Sequence, residues 1–303
     1  MGLLNKWMES LDYEFKVLPS CTRHQSPHSS CSICMDSCLE DAITLVDGKP
    51  SILQEKCSEC GHCIVECPVH AIEGFFPKRN VYQNQLVVKD DHPPALRELL
   101  GYYRKGIHGI ICEEEELSND WQIMIEKANR ALKQLGKDAF SIQYKKLEIK
   151  EETFTRREVF TFWKKEAQST LMQMAPAKWR FNYKELDLNK FYPNHQFFQI
   201  SLDFTKCTLC KACERLCQKN CFKINDSDFT LLAQGCSGCM LCQDICPENA
   251  ITINEEITTA EEAIHPIYIK TCIKCNSNYE SLVDVDRKCV KCQKRELFGT
   301  FLS

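Results

Sequence analysis

Apolar residues recur at helical spacing near the start of the chain. In residues 1–20 the large apolar side chains fall on one helical face, with charged residues elsewhere: Leu3, Leu4, Trp7, Met8 and Leu11. This pattern predicts an amphipathic helix. We expect the helix to cap the segment that follows, and a helix that docks onto a partner protein is the alternative.

The middle of the chain predicts a small α/β unit. Residues 107–112 form a short apolar run, and residues 119–135 then carry apolar side chains at helical spacing: Trp121, Met124, Ile125, Ala128, Ala131, Leu132 and Leu135. Ser118 or Asn119 is the expected N-cap and Gly136 the expected end. Alternating apolar and polar residues after position 139 favour a strand. Strand, helix and strand with short joins predict a βαβ unit.

A further helix is expected to begin at Thr155, where Glu158 completes a capping box, and to end before Pro176. Its apolar stripe consists of Val159, Phe160, Trp163, Ala167, Leu171 and Met174. This middle region contains no glycine-rich phosphate loop, so the sequence does not support nucleotide binding.

Cysteine spacing changes this picture, because four cysteine motifs flank the middle region. Three of them read C-x2-C-x2-C-x3-C, namely motif 2 (Cys57, Cys60, Cys63, Cys67), motif 3 (Cys207, Cys210, Cys213, Cys217) and motif 4 (Cys236, Cys239, Cys242, Cys246). Motif 1 (Cys21, Cys31, Cys34, Cys38) is stretched, with nine residues between its first two cysteines where the other motifs have two. Three closely spaced thiolates wrap one side of a cubane iron–sulfur cluster, and the fourth ligand comes from elsewhere in the chain.

These motifs resemble those of the bacterial-type two-cluster ferredoxins, over roughly 110 residues in two blocks. Proteins of this family transfer single electrons and have no catalytic site of their own. Their fold is a pair of β-hairpins with short helices around a pseudo-two-fold axis. The duplication is similar to polyferredoxins and to the iron–sulfur subunits that connect dehydrogenases, hydrogenases and molybdenum enzymes to their redox partners.

In two-cluster ferredoxins the fourth cysteine of each motif ligates the other cluster. The resemblance therefore implies four [4Fe–4S] sites. They are site 1 (Cys21, Cys31, Cys34, Cys67), site 2 (Cys57, Cys60, Cys63, Cys38), site 3 (Cys207, Cys210, Cys213, Cys246) and site 4 (Cys236, Cys239, Cys242, Cys217).

The ligand role of Cys21 is the open point of this scheme, because the insertion interrupts the family pattern. A three-iron cluster and ligation by His24 or His28 are the alternatives. A longer loop also changes the hydrogen bonds and solvent around the cluster, so we expect its reduction potential to differ from the others.

The tail carries two C-x2-C pairs separated by thirteen residues: Cys272, Cys275, Cys289 and Cys292. Four thiolates close a tetrahedral site with no open position, which is typical of structural zinc and resembles a zinc ribbon. A rubredoxin-type single iron is the alternative. Lysines and arginine around the pairs predict a basic surface for docking.

Two cysteines lie outside these sites. Cys112 ends the apolar run and is expected to act as a small buried hydrophobe, beside acidic residues that disfavour a reactive thiolate. Cys221 occupies the position that alanine occupies in the other three motifs, and we expect it to pack against a cluster.

The expected fold is therefore α+β, with two ferredoxin-like 2[4Fe–4S] domains flanking a small α/β insert and a C-terminal zinc ribbon. The expected segments are 1–20 (N-terminal helix), 21–76 (first ferredoxin-like domain), 77–200 (insert), 201–255 (second ferredoxin-like domain) and 265–303 (zinc ribbon).

Charge and composition limit the expected function. The formal net charge of −4 becomes more negative on cluster binding, because a cubane with four thiolates carries about −2. Nucleic acid is therefore a disfavoured partner. The start of the chain lacks a signal-peptide pattern and no apolar run is long enough to span a membrane, so we expect a cytoplasmic protein with reduced thiols.

We expect one-electron transfer between an oxidoreductase and another redox protein, with no small-molecule substrate. The first alternative is a fixed iron–sulfur subunit of a larger dehydrogenase, hydrogenase or molybdoenzyme, which would make the chain part of an enzyme. The second is a redox-sensing regulator that binds DNA through the ribbon.

Overall fold

A computed structural model describes residues 15–74, 77, 79–89, 92–147, 187–285 and 287–298. The helices are α1 (Thr22–Gln25), α2 (Ile33–Asp36), α3 (His62–Glu66), α4 (Leu96–Arg104), α5 (Asn119–Gln134), α6 (Leu188–Phe191), α7 (Ala212–Leu216), α8 (Leu241–Asp244) and α9 (Val290–Phe298). A 3-10 turn covers Ala233–Gly235.

The first eight strands are β1 (Lys16–Val17), β2 (Ile43–Val46), β3 (Lys49–Ile52), β4 (Ile72–Glu73), β5 (Asn80–Tyr82), β6 (Gln85–Val87), β7 (Gly109–Cys112) and β8 (Ser141–Tyr144). The others are β9 (His195–Leu202), β10 (Phe222–Ile224), β11 (Asp228–Leu232), β12 (Ile251–Thr259), β13 (Glu262–Pro266), β14 (Tyr268–Thr271) and β15 (Asn278–Ser281).

The chain divides into two compact units. One comprises residues 1–21 and 32–191, and the other comprises residues 22–31 and 192–303. The second unit therefore includes the insertion of motif 1, although most of that motif belongs to the first. Mixed helices and short antiparallel strands around motifs 1 to 4 agree with the expected α+β class.

The first unit begins with a module of four strands and two one-turn helices. β1 pairs with β4, and β2 pairs with β3, both antiparallel. Asp47 and Gly48 turn the β2–β3 hairpin with positive φ at both positions, as a type I′ turn requires. The module's core holds Phe15, Ile43, Ile64 and the cysteines of motif 2 that face inward.

The insert forms a four-stranded sheet in the order β5-β6-β7-β8. β5 is antiparallel to β6, whereas β6, β7 and β8 run parallel. The predicted β7–α5–β8 unit is therefore confirmed. A second parallel crossover, β6–α4–β7, was not predicted, because β6 is only three residues long.

Helix α5 confirms the predicted helical stripe. Trp121, Ile125 and Leu132 are buried on one face, and Gly136 follows the helix with φ of +65°. Ser118 is the N-cap, but its side chain makes no capping hydrogen bond. The helix is therefore held by its apolar face rather than by a side-chain cap.

The second unit repeats the order strand, helix, hairpin, helix, strand of the first module. β9 pairs antiparallel with β12, and β10 pairs antiparallel with β11, which in turn pairs with β13. Phe222 and Phe229 lie in its core, where the ring of Phe229 is fully buried.

The tail is a β14–β15 hairpin followed by α9. The predicted helix in residues 155–176 lies outside the described residues. Of the predicted helix in residues 1–20, the structure describes only residues 15–20, where Lys16–Val17 form strand β1. Within the described ranges, every helix is too short or too polar to traverse a lipid bilayer.

Candidate metal centres

A shared turn follows the fourth cysteine of all four motifs. In each, the backbone N–H four residues later donates a hydrogen bond to the cysteine sulfur, at 3.2 to 3.4 Å: Ala42 to Cys38, Ala71 to Cys67, Cys221 to Cys217 and Ala250 to Cys246. In each turn the third residue has positive φ: Asp41, His70, Asn220 and Asn249. Backbone donors aimed at sulfur favour the thiolate form that iron binds.

A second shared feature surrounds the second cysteine of motifs 2, 3 and 4. The residues before and after it have positive φ: Glu59 and Gly61, Leu209 and Lys211, Gly238 and Met240. In motif 1 the equivalent residue Ser32 has φ of −125°. Motif 1 therefore matches the others at its fourth cysteine and departs from them at its second.

The insertion of motif 1 is a folded loop with its own hydrogen bonds. Arg23 donates to the carbonyls of Cys31 and Ser30, the latter at 3.0 Å. Within the second unit, the Ser30 backbone N–H donates to the carboxylate of Asp244 at 2.7 Å, and the Ser30 hydroxyl lies 3.0 Å from the same carboxylate. Asp244 ends helix α8 in motif 4.

Site 1 is the least complete of the four predicted sites. Cys21 and Cys34 pack against the core that contains Cys67. Cys31 belongs to the 22–31 segment that folds with the second unit. Its place in site 1 therefore stays a prediction, as do the alternatives at His24 and His28.

Site 2 brings its cysteines into one electrostatic group. Burial raises the pKa of Cys63, and the charges of Cys60, Cys57 and Cys38 raise it further, as does Cys34, which the scheme assigns to site 1. Burial also raises the pKa of Cys57, as do Cys60 and Cys38. Thiolates this close repel each other, so a cationic core of iron is the partner that their arrangement favours.

A buried polar network packs against motif 2. The Arg79 guanidinium donates to Glu98 at 3.0 Å, to the carbonyl of His92 at 2.7 Å and to Nε2 of His62 at 3.1 Å. A guanidinium only donates, so Nε2 of His62 is the acceptor. Tyr102 also donates to Glu98, whose pKa burial raises against the opposing effect of Arg79.

Site 3 lines a single cavity. Among its lining residues are all four predicted ligands, Cys207, Cys210, Cys213 and Cys246. Burial raises the pKa of Cys213 to about 12, with a further contribution from Cys207. Burial likewise raises the pKa of Cys207, and Cys246 adds to it. The fourth cysteine of motif 4 thus lies with the first three of motif 3.

Site 4 shows the reciprocal arrangement. Burial raises the pKa of Cys239 and Cys242, and the charges of Cys236 and Cys217 contribute to both. The pKa of Cys217 is lowered, because the thiol of Cys221 donates a hydrogen bond to it. Cys217 thus lies near the first three cysteines of motif 4, as the two-cluster scheme predicts, and the ligand sets of sites 3 and 4 stay predictions.

The tail cysteines are spaced for one ion. Their four sulfurs lie within 4.8 Å of one another, and Cys275 and Cys289 are 3.7 Å apart. A tetrahedron with Zn–S bonds of about 2.3 Å has sulfurs about 3.8 Å apart. The Cys289 N–H donates to the sulfur of Cys272 at 3.3 Å and lowers its pKa. A single iron takes the same four thiolates, so that alternative stays open.

Ion pairs neutralise part of the predicted basic surface of the tail. Lys288 pairs with Glu296 at 2.7 Å, and Lys274 pairs with the same carboxylate. Lys270 pairs with Asp284, and Lys294 pairs with Glu248, which lies beside Cys246. Four of the lysines that the sequence offers for docking thus share three carboxylates in this structure.

Cys112 lies where the sequence predicted, at the end of β7 and almost fully buried. Its thiol donates to the carbonyl of Glu116. Cys221 is buried in the core of the second unit. No local sequence pattern predicts the contacts of Arg79, because its partners lie 13 to 19 residues away along the chain.

Comparison with known proteins agrees with this chemistry. A family model described as a 4Fe–4S binding domain matches residues 50–73, which include motif 2. Over 107 residues the chain is 46% identical to an uncharacterized ferredoxin of Methanocaldococcus jannaschii. That stretch covers 35% of this chain and 65% of the relative, less than two thirds of its length. The chain thus contains a ferredoxin-type iron–sulfur region suited to electron transfer.

Proposed function

We propose that this chain transfers single electrons through four [4Fe–4S] clusters, held in two ferredoxin-like modules at sites 1 to 4. Each cluster supplies reversible one-electron chemistry when it is bound. The observation that carries the proposal is the repeated turn in which a backbone N–H donates to the fourth cysteine of every motif.

The protein's own residues bind the clusters and control their surroundings. Thiols that are mostly partly buried supply the ligands, and backbone amides offset the negative charge that collects on sulfur. The apolar cores of the two modules limit the access of water. We assign no acid, base or nucleophile to any residue.

We further propose that the tail is a zinc ribbon. Zinc has no redox chemistry, so the tail stabilises the protein or docks it rather than extending the electron path. Its contact with the rest of the second unit through Lys294 and Glu248 supports a stabilising role.

Metal analysis tests the proposal directly. Full-length protein purified without oxygen should contain about sixteen iron atoms, sixteen sulfides and one zinc. About eight irons would contradict the four-cluster scheme. Cys21→Ser should change the EPR signal of one cluster, and an unchanged spectrum would remove Cys21 from site 1.

A fixed iron–sulfur subunit of a larger oxidoreductase is the second candidate. It is favoured by large apolar side chains exposed in the tail, where Ile269, Ile273 and Val285 are 71%, 64% and 82% exposed. The redox partner is then a protein bound permanently. Migration of the native protein as a lone 35.1 kDa species in size-exclusion chromatography of an extract would count against this candidate.

A further inference from the structure

The position four residues after the fourth cysteine differs in one motif. Motifs 1, 2 and 4 carry Ala42, Ala71 and Ala250 there, whereas motif 3 carries Cys221. All four backbone N–H groups make the same hydrogen bond to sulfur. Alanine adds no polar group at this position, whereas cysteine adds a thiol that can donate.

The thiol of Cys221 lies among ligands of a single site. The residue is 1% exposed. Its thiol is within hydrogen-bonding reach of the sulfurs of Cys217 and Cys236. The sulfur also packs 3.7 Å from the Cβ position of Gly235, the residue that precedes Cys236. Cys217 and Cys236 both belong to site 4, so both contacts fall on one proposed cluster.

The roles of the three sulfurs follow from ligand chemistry. In site 4, Cys217 and Cys236 bind iron as thiolates and carry no proton. Cys221 is outside the set of four ligands, and a free thiol keeps its proton at neutral pH. Only Cys221 can then be the donor, and the two ligand sulfurs share its single proton.

We propose that the thiol of Cys221 donates a hydrogen bond to the ligand sulfurs of site 4 and thereby raises the reduction potential of the cluster bound there. The inference rests on the proposed function, since it requires clusters at sites 3 and 4. Hydrogen bonds to sulfur stabilise the reduced, more negative cluster, and they are one of the terms that set its potential. Site 3 has Ala250 at the equivalent position and lacks this donor. Of the two clusters in this module, the one at site 4 is therefore the more readily reduced.

Cys221→Ala in the full-length protein tests the proposal. Alanine already occupies the position in three motifs, so this variant keeps the backbone turn. We expect all of the iron to be retained and one midpoint potential to fall in an EPR-monitored redox titration. A change of between twofold and tenfold in the reduction equilibrium is expected, where tenfold is about 59 mV for one electron.

Ala250→Cys is the matched control, because it places a thiol at the equivalent position beside site 3. It should raise the midpoint of a different cluster and leave that of site 4 unchanged. Cys221→Ser keeps a donor and should give a smaller shift than Cys221→Ala.

Two results would overturn the proposal. The first is a Cys221→Ala variant whose midpoints all equal those of the wild type, and the second is a variant that loses about four irons, since Cys221 would then be a ligand. Failure of the proposed function is seen separately, as a wild-type protein with far fewer than sixteen irons.

Discussion

Gly238 is the residue where the packing of site 4 can be tested most sharply. It precedes Cys239, has φ of +72°, and a Cβ added to it would lie 2.2 Å from the ring of Phe198. The equivalent residues Glu59 and Leu209 also have positive φ, at 56° and 55°, although both carry side chains. The backbone conformation alone therefore does not require glycine, whereas the ring of Phe198 does.

The cost of Gly238→Ala has two parts. An alanine in the left-handed conformation costs about 1–2 kcal/mol. Displacing the packed ring of Phe198 costs about 1–3 kcal/mol more, as other insertions into packed cores do. We therefore expect Gly238→Ala to destabilise this region by about 2–5 kcal/mol in total.

The assay is loss of iron from the anaerobically purified full-length protein in a urea titration. Gly238→Ala should release about four of the sixteen irons at a lower urea concentration than the wild type. Glu59→Ala is the matched control in motif 2 and should leave that midpoint unchanged, because an exposed side chain already occupies the left-handed position there.

A double-mutant cycle separates the two parts of the cost. In a Phe198→Ala background, Gly238→Ala should cost only the backbone part of about 1–2 kcal/mol. A Gly238→Ala protein with the wild-type urea midpoint, or an equal cost in both backgrounds, would refute the reasoning from the ring contact.

Three further substitutions test other parts of the structure. Glu98→Gln should lower the free energy of unfolding, measured by urea titration, by about 3–5 kcal/mol, because it leaves the buried Arg79 without its carboxylate. The double variant Arg79→Met/Glu98→Met should recover most of that loss. A Glu98→Gln protein with the wild-type free energy of unfolding would contradict the buried ion pair. Cys275→Ser should abolish zinc binding and leave iron and sulfide unchanged, whereas loss of one iron instead would identify iron in the tail. Cys112→Ala should change neither the iron content nor any midpoint potential, and loss of iron would contradict its assignment as a buried hydrophobe.

Local patterns in the sequence predict part of the fold well. Helix α5 follows directly from the spacing of Trp121, Ile125 and Leu132, because an amphipathic stripe needs only a core to pack on. Strand β7 follows from its apolar run. The strand at β8 was also predicted, although Ile142 and Tyr144 are 39% and 53% exposed in this edge strand.

Longer-range features could not be predicted in the same way. Arg79 and Glu98 lie 19 residues apart, and nothing in their local sequence distinguishes a buried ion pair from two surface charges. The same holds for Lys274 and Glu296 in the tail. Charge composition predicted a basic surface there, and ion pairs between residues distant in sequence neutralise part of it.

The cysteine motifs predict which cysteines come together, but they do not predict the backbone turns that bring them together. The resemblance to two-cluster ferredoxins implies that Cys246 joins motif 3, and Cys246 lines the cavity of site 3. The donor at each fourth cysteine depends on a left-handed residue that has no common identity, since Asp41, His70 and Asn220 all serve. Such a turn is recognisable only from backbone geometry.

That turn also determines which substitutions the position after it tolerates. Its donor is a main-chain amide, so any side chain that fits the available space leaves the hydrogen bond intact. Proline is the exception, because it has no N–H to give. Small side chains of different polarity can therefore be placed beside a chosen cluster while the ligand loop keeps its shape, at four almost fully buried positions: Ala42, Ala71, Cys221 and Ala250.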